Sequence, residues 1–124
     1  MLELYDLLGK IKQRPSLYLG KRSLSHLHVF LDGYSFACRQ IGIPVTEQEK
    51  DFEEFQEWIE HRFNQANTQS WSRIILFYAE DEADALNRFF ELFEDFLQRK
   101  KLPKGEEITN LEMPDEVRIV AGNS

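Results

Sequence analysis

The three histidines and their acidic neighbours are the residues whose types could bind a metal ion or transfer protons. His26 and His28 lie two positions apart, which places their side chains about 200° apart around a helix and prevents them from sharing a metal ion. Glu57 and His61 lie four apart and can pair, but a di-iron site needs glutamate and histidine three apart in each of two helices. We therefore predict no metal site.

An acidic run and the single cysteine are the next candidates for chemistry. The run at residues 80–84 lacks the glycine and the ligand spacing of an EF-hand, so we interpret it as the cap and first turn of a helix. Cys38 has no histidine placed to activate it, and we expect a small core residue. The chain also lacks a phosphate-binding loop, a dinucleotide fingerprint and a G-x-S-x-G motif. These features favour a non-enzymatic protein without a cofactor.

A basic segment interrupts this acidic chain between Lys10 and Arg22. Cations and an aromatic ring beside a helix N-terminus are typical of sites that bind a small anion or a nucleotide. The candidate residues for this alternative function are Arg14, Tyr18, Lys21 and Arg22. We also expect a structural role, in which the Arg14 guanidinium bonds to carbonyls or a carboxylate and the Tyr18 ring packs on the third helix.

Acidic side chains are concentrated in two stretches, residues 47–60 and 80–95, each with seven acids and one basic residue. In the first stretch like charges lie three and four positions apart, which opposes helix formation. A field of this kind accelerates association with a basic partner. We therefore predict a protein-binding face formed by Glu53, Glu54, Glu57 and Glu60. Ordinary solvation of the helix surface is the alternative explanation.

The elements that carry these residues follow helical periodicity. Apolar spacings of three and four predict helices over residues 2–12, 23 or 25 to 40, 47–66 and 82–100, with a turn after Pro15. Thr46 and Glu49 form a capping-box pattern, and Asp81 is placed to cap the last helix. Gly33, inside a predicted helix, indicates close approach of another helix. Residues 70–79 fit either a strand or a short helix. Only residues 117–121 could pair with a strand there, and an isolated pair of strands is marginally stable, so the helix is preferred.

Length and composition complete the prediction. A chain of 124 residues is expected to form one domain. We predict an all-α fold, a compact bundle of four to five helices over residues 1–100, followed by an extended or partly disordered polar tail over 101–124. The core should centre on Phe89, Phe93 and Phe96.

Charge and hydropathy limit the partners. A net charge of -7 argues against binding to nucleic acid or anionic membranes. The chain shows neither a signal peptide nor a membrane-spanning stretch, and its single cysteine cannot form an internal disulfide. We therefore expect a cytoplasmic protein with a protein partner, and the sequence leaves a homodimer open.

Two resemblances bear on function. The string Arg14-Pro15-x-x-Tyr18-x-Gly20 resembles a short motif in the ATPase domain of type II topoisomerase B subunits. Leu31 and Ser35 stand where that family has its catalytic glutamate and metal-binding asparagine, so ATPase activity is not expected.

A broader resemblance covers most of the chain. It is carried by RPSLYLG, LSHLHVFLDGY, an acidic helix with FxxW, WSRIILFY and DEADALNRFFELFEDF. These segments look like a group of small uncharacterised bacterial cytosolic proteins, some of them associated with toxin and immunity gene neighbourhoods. No catalytic residues are defined for that group. The resemblance implies an association with toxin neutralisation, and the two acidic stretches suit a basic toxin.

Overall fold

The computed structural model describes residues 3–65 and 69–99. These residues form an all-α fold, as predicted, and none of them lies in a strand. The six helices are α1 (Leu4–Gln13), α2 (Pro15–Leu19), α3 (Leu24–Gln40), α4 (Glu47–Arg62), α5 (Trp71–Phe77) and α6 (Glu82–Gln98). The predicted tail at 101–124, like the last residue of the predicted helix 82–100, lies outside the described residues.

The segment after Pro15 is helical, so the prediction of a turn there was wrong. Proline is well tolerated at the first position of a helix, where its missing N–H has no partner to lose, and Pro15 occupies that position in α2. Gly20 ends the helix with a left-handed backbone, φ 85°. The His26 ring adds a contact, with Nδ1 2.9 Å from the carbonyl oxygen of Leu19. Two short helices therefore replace one helix and a turn.

The connection between α3 and α4 is fixed by an ion pair beside the predicted capping box. Thr46 and Glu49 cap each other's backbone at the start of α4. Glu49 also accepts hydrogen bonds from both Nη atoms of Arg39, at 3.2 and 3.1 Å, while Nε of Arg39 donates to the carbonyl of Ile43. Burial raises the pKa of Glu49, but the bonds from Arg39 and Thr46 outweigh it and lower the pKa. One carboxylate thus closes the loop and caps the helix.

A second carboxylate joins the N-termini of α3 and α6. Asp81 accepts from the backbone N–H of Asp84, confirming the predicted cap. Glu82 reaches α3, where it accepts from the Ser23 hydroxyl and from the hydroxyl and backbone N–H of Ser25. Burial raises the pKa of Glu82, but these hydrogen bonds outweigh it and lower the pKa. A negative charge at the start of α3 also complements its dipole.

The core of residues 1–92, the first of two units in the chain, is aromatic. Phe55 and Phe89 are fully buried, and their ring centroids lie 5.5 Å apart at a steep angle. Trp71 contacts both rings, at 5.4 and 5.2 Å. The pairs of Phe55 with Phe89 and of Phe55 with Trp71 are edge to face, and such pairs each contribute about 0.5–1.5 kcal/mol beyond area burial. These rings bring α4, α5 and α6 together.

The described part of the second unit is the C-terminal end of α6. Phe93 and Phe96 are buried, as predicted, and their rings stack 6.2 Å apart. The Arg99 guanidinium lies 3.7 Å from the centroid of the Phe96 ring and donates to the Phe96 carbonyl. A cation therefore closes the C-terminal end of the helix, where the dipole favours it.

Two expectations for α3 are wrong. Apart from its chain neighbours and the nearby backbone of α3 itself, no described residue lies within 4 Å of the position that a Cβ atom would take at Gly33, so no other described helix approaches it there. Cys38 is only half-buried, beside the Tyr34 hydroxyl. Burial, followed by the neighbouring Cys38, raises the pKa of Tyr34. Both differences arise because this part of α3 faces solvent.

Gly33→Ala should stabilise the protein by about 0.5–1 kcal/mol, because alanine loses less backbone entropy in a helix and meets open space here. Urea unfolding followed by circular dichroism measures this change. The same substitution at Gly20, where φ is 85°, is a matched control that should destabilise. A loss of stability in Gly33→Ala would contradict the open environment of this position.

The lowered pKa of Glu82 predicts an acid-dependent loss of stability. Its contribution is complete above the unfolded-state pKa of roughly 4.3 and is lost as pH falls through the lower folded-state value. The free energy of unfolding of the wild type should therefore decline between about pH 5 and pH 2 more steeply than that of Glu82→Gln. Urea titrations across this range test it, with Glu57→Gln as an exposed control. Parallel curves for wild type and Glu82→Gln would refute the assignment.

Candidate functional site

A groove of about 310 Å³ is lined by residues of α3 and α4 and of the starts of α1 and α5. Its volume is within the range of small-ligand and side-chain pockets. The apolar part of its lining consists of Leu4, Leu31, Phe52 and Trp71. The polar part consists of His28, Asp32, Ser35, Glu53, Gln56 and Ser70. We call this concavity the acidic groove, after its two carboxylates.

Helical spacing places the polar groups of the acidic groove. His28, Asp32 and Ser35 follow one another at intervals of four and three, so they share one face of α3. Glu53 and Gln56 are three apart on α4 for the same reason. Each helix therefore presents one polar row to the groove.

Gln56 fixes the start of α5 against α4. Its Oε1 accepts from the backbone N–H of Trp71 at 2.7 Å. Its Nε2 donates to the carbonyl of Gln69 at 2.9 Å and to Glu60 at 2.7 Å. Every polar atom of this side chain is therefore in use, and Trp71 is held at the floor of the acidic groove.

His28 links α3 to α5. Its Nδ1 lies 2.5 Å from the Ser72 hydroxyl, and its ring stacks on Trp71 with centroids 4.8 Å apart. On its other side, Nε2 lies 3.8 Å from a carboxylate oxygen of Asp32. The imidazole is therefore oriented by one hydrogen bond and one ring contact.

The set Ser72, His28 and Asp32 contains the residue types of a nucleophilic triad, but its geometry suits a structural link. The separation of 3.8 Å between Asp32 and the ring exceeds a hydrogen bond, and the Asp32 side chain is 76% exposed. In a triad the carboxylate is buried and bonded to the ring. Ser72 itself is only 7% exposed, so a substrate has little access to its hydroxyl.

The four residues of the predicted acidic face all lie on α4. Glu53, Glu54 and Glu57 are exposed on α4, and Glu57 lies 3.9 Å from His61, confirming that these two residues can pair. Glu60 differs, because it is partly buried and accepts a hydrogen bond from Gln56. Glu53 also lines the acidic groove, which makes the face and the groove continuous.

None of the four residues of the predicted anion site, Arg14, Tyr18, Lys21 and Arg22, lines the acidic groove. Arg14 is exposed, and within residues 3–65 and 69–99 its guanidinium has no hydrogen-bond or ion-pair partner, so the expected bond to a carbonyl or carboxylate was wrong. Arg22 donates to the Asn87 side chain at 3.0 Å. Tyr18 is half-buried and Lys21 is exposed.

Sequence reasoning missed the acidic groove. The spacing of His28, Asp32 and Ser35 was a visible signal, since it predicts one helix face. Ser72 lies 44 positions from His28, and no sequence pattern indicated that the two side chains meet. Across the described ranges, no group of three or more His, Cys, Asp or Glu side chains could hold a metal ion. No helix there has the length and apolar character to cross a membrane.

Ser72→Ala should lower the free energy of unfolding by about 1–2 kcal/mol, because it removes the hydrogen-bond partner of His28. Ser35→Ala is a matched control on the exposed rim and should change stability by less than about 0.5 kcal/mol. Chemical denaturation of the three proteins gives the comparison. Equal stabilities for Ser72→Ala and the wild type would remove the proposed link between α3 and α5.

No family model, curated protein sequence or solved structure matches this chain significantly. The geometry of the site therefore carries the functional argument.

Proposed function

We propose that this protein is a non-enzymatic protein-binding domain that engages a basic partner through the acidic groove and the adjoining face of α4. One observation carries the proposal: Glu53 belongs to both surfaces. A partner docked on α4 can therefore place a side chain in the groove. The proposed contact residues on α4 are the exposed Glu53, Glu54 and Glu57, together with the partly buried Glu60, which also accepts a hydrogen bond from Gln56.

The groove favours a lysine or arginine side chain. Its apolar lining includes Trp71 and Phe52, which can pack against the alkyl stem of such a side chain. Asp32 and Glu53 supply carboxylates for the cationic head, and the indole ring adds a cation–π contribution. An acidic or purely apolar side chain would leave these carboxylates desolvated without compensation.

The net charge of the chain also favours a basic protein as the partner. The whole chain carries a net charge of -7, which attracts basic proteins over the range of the Debye length. Such fields raise association rates by roughly 10- to 1,000-fold. Fast capture suits neutralisation of a basic toxin, for example a nuclease, in the bacterial cytoplasm. We propose this immunity-like role as the biological context of the contact.

A charge-reversed variant, Glu53→Lys with Glu57→Lys, should stay folded and bind a basic probe more slowly, because both side chains are exposed. We expect the association rate of a fluorescent hexa-arginine peptide at low salt to fall about tenfold. The difference should shrink as salt is raised. Stopped-flow fluorescence gives the rates.

The control must change the net charge equally. Glu91→Lys with Glu94→Lys alters two exposed acids three positions apart on α6. If both double variants slow binding to the same extent, the effect belongs to net charge and the α4 face is ordinary solvated surface. Asp32→Asn tests the groove separately and should raise the dissociation rate while leaving association nearly unchanged.

A further inference from the structure

A second groove, of about 460 Å³, lies beside α5. Its described lining comes from the segment after α4 and from α5 up to Tyr78, and it contains no aspartate or glutamate. It therefore differs in chemistry from the acidic groove. We call it the Arg73 groove.

Arg73 supplies an available cation to this groove. The residue is exposed and lines the cavity. Within the described residues its guanidinium has neither a hydrogen-bond nor an ion-pair partner. In contrast, Arg39 and Arg88 both pair with carboxylates in their neighbourhood. A guanidinium that is not committed to a carboxylate of its own chain can bind an anion through two parallel hydrogen bonds.

The Tyr78 hydroxyl is oriented as a second donor. Gln65 Nε2 donates to its oxygen at 3.0 Å, which leaves the phenolic proton for another acceptor. The ring of Tyr78 is held by stacking on Phe63, with centroids 4.9 Å apart. The groove thus has a fixed hydroxyl donor as well as a guanidinium.

Phe77 provides an apolar surface at the same place. Its side chain is 78% exposed, although it follows the buried residues of α5. Its ring meets Tyr78 edge to face at 5.0 Å. Together with Ile74 and Leu76 these rings form an apolar wall of the Arg73 groove. An exposed aromatic surface beside hydrogen-bond donors suits a ligand that has both an apolar and a polar end.

We propose that the Arg73 groove binds a ligand with one carboxylate on an aromatic body. The carboxylate would accept from the Arg73 guanidinium and the Tyr78 hydroxyl, and the ring would pack on Phe77. A monoanion fits better than a phosphate dianion, because one cation and neutral amides balance a single charge in a protein of net charge -7. This site uses none of the residues of the proposed basic-partner surface.

The probe for this site is 3-phenylpropionate, with 3-phenylpropionamide as the uncharged control. Two-dimensional NMR titration of the full chain should shift the Arg73 and Gln65 side-chain signals with the acid, and the acid should bind about tenfold more tightly than the amide. Arg73→Gln should remove this tenfold preference. Arg73→Lys should restore part of it, because lysine keeps the charge but not the paired hydrogen bonds.

Arg14→Gln is the matched control, since it removes an exposed arginine that does not line the groove. It should bind the acid like the wild type. Equal binding of acid and amide to the wild type, absence of shifts at millimolar probe, or an equal loss in Arg14→Gln would each overturn the proposal.

A second experiment asks whether the bound carboxylate belongs to a peptide C-terminus or to a small acid. Its probe is a peptide ending in phenylalanine, with a free or an amidated C-terminus. Tighter binding of the free-ended peptide than of 3-phenylpropionate supports the site with a peptide C-terminus as ligand, and weaker binding supports it with a small acid.

Discussion

The arrangement of the described residues up to Leu92 depends on the contacts of Trp71. Its indole ring meets Phe55 and Phe89 in the core and stacks on His28 at the edge of the acidic groove. The short helix α5 is too brief to be stable by itself. Burial of this one large side chain, together with the hydrogen bond from its backbone to Gln56, fixes α5 against α3 and α4. The floor of the groove is therefore part of the core.

Polar side chains then set where the helices begin and how they are joined. Glu49 and Glu82 each bond to more than one partner, and each connects the start of a helix to a residue elsewhere in the chain. Partly buried carboxylates are stable only when such bonds replace water. Gln56 does the same with an amide. These links hold exposed neighbours such as Asp32 and Glu53 on helices that are firmly placed.

Some charged side chains are bonded within the protein and others are exposed to solvent, and this difference sets the chemistry of the two grooves. Glu49, which is used internally, is paired with Arg39, so it adds little to the field outside the protein. Glu53, Glu54 and Glu57 on the outer face of α4 are instead exposed to water. Arg73 is the reverse case, a cation left exposed beside α5 in a protein of net negative charge. The two grooves therefore differ in the charge of the side chains that line them: the acidic groove contains Asp32 and Glu53, and the other contains Arg73.

The sequence by itself determined the all-α fold, four of the helices to within a few residues, the helical state of residues 71–77 and the caps at Thr46 and Asp81. These features are local, because periodicity and capping act within four residues. It also placed Glu53, Glu54 and Glu57 on one exposed face. Two predictions from the sequence were wrong. Proline disfavours helical geometry in the residue before it, and this rule was extended to the residues after Pro15, which are helical. At Gly33 the close approach of another helix was assumed, and none is found among the described residues.

Only the tertiary structure decided which distant residues meet. The pairing of His28 with Ser72, of Glu82 with Ser25 and of Arg39 with Glu49 joins different elements, and nothing in the spacing of these residues records it. Both grooves arise in the same way, from the angles at which helices pack. Those angles are set by the shapes of buried rings such as Trp71 acting across the whole core, and a one-dimensional pattern does not contain them.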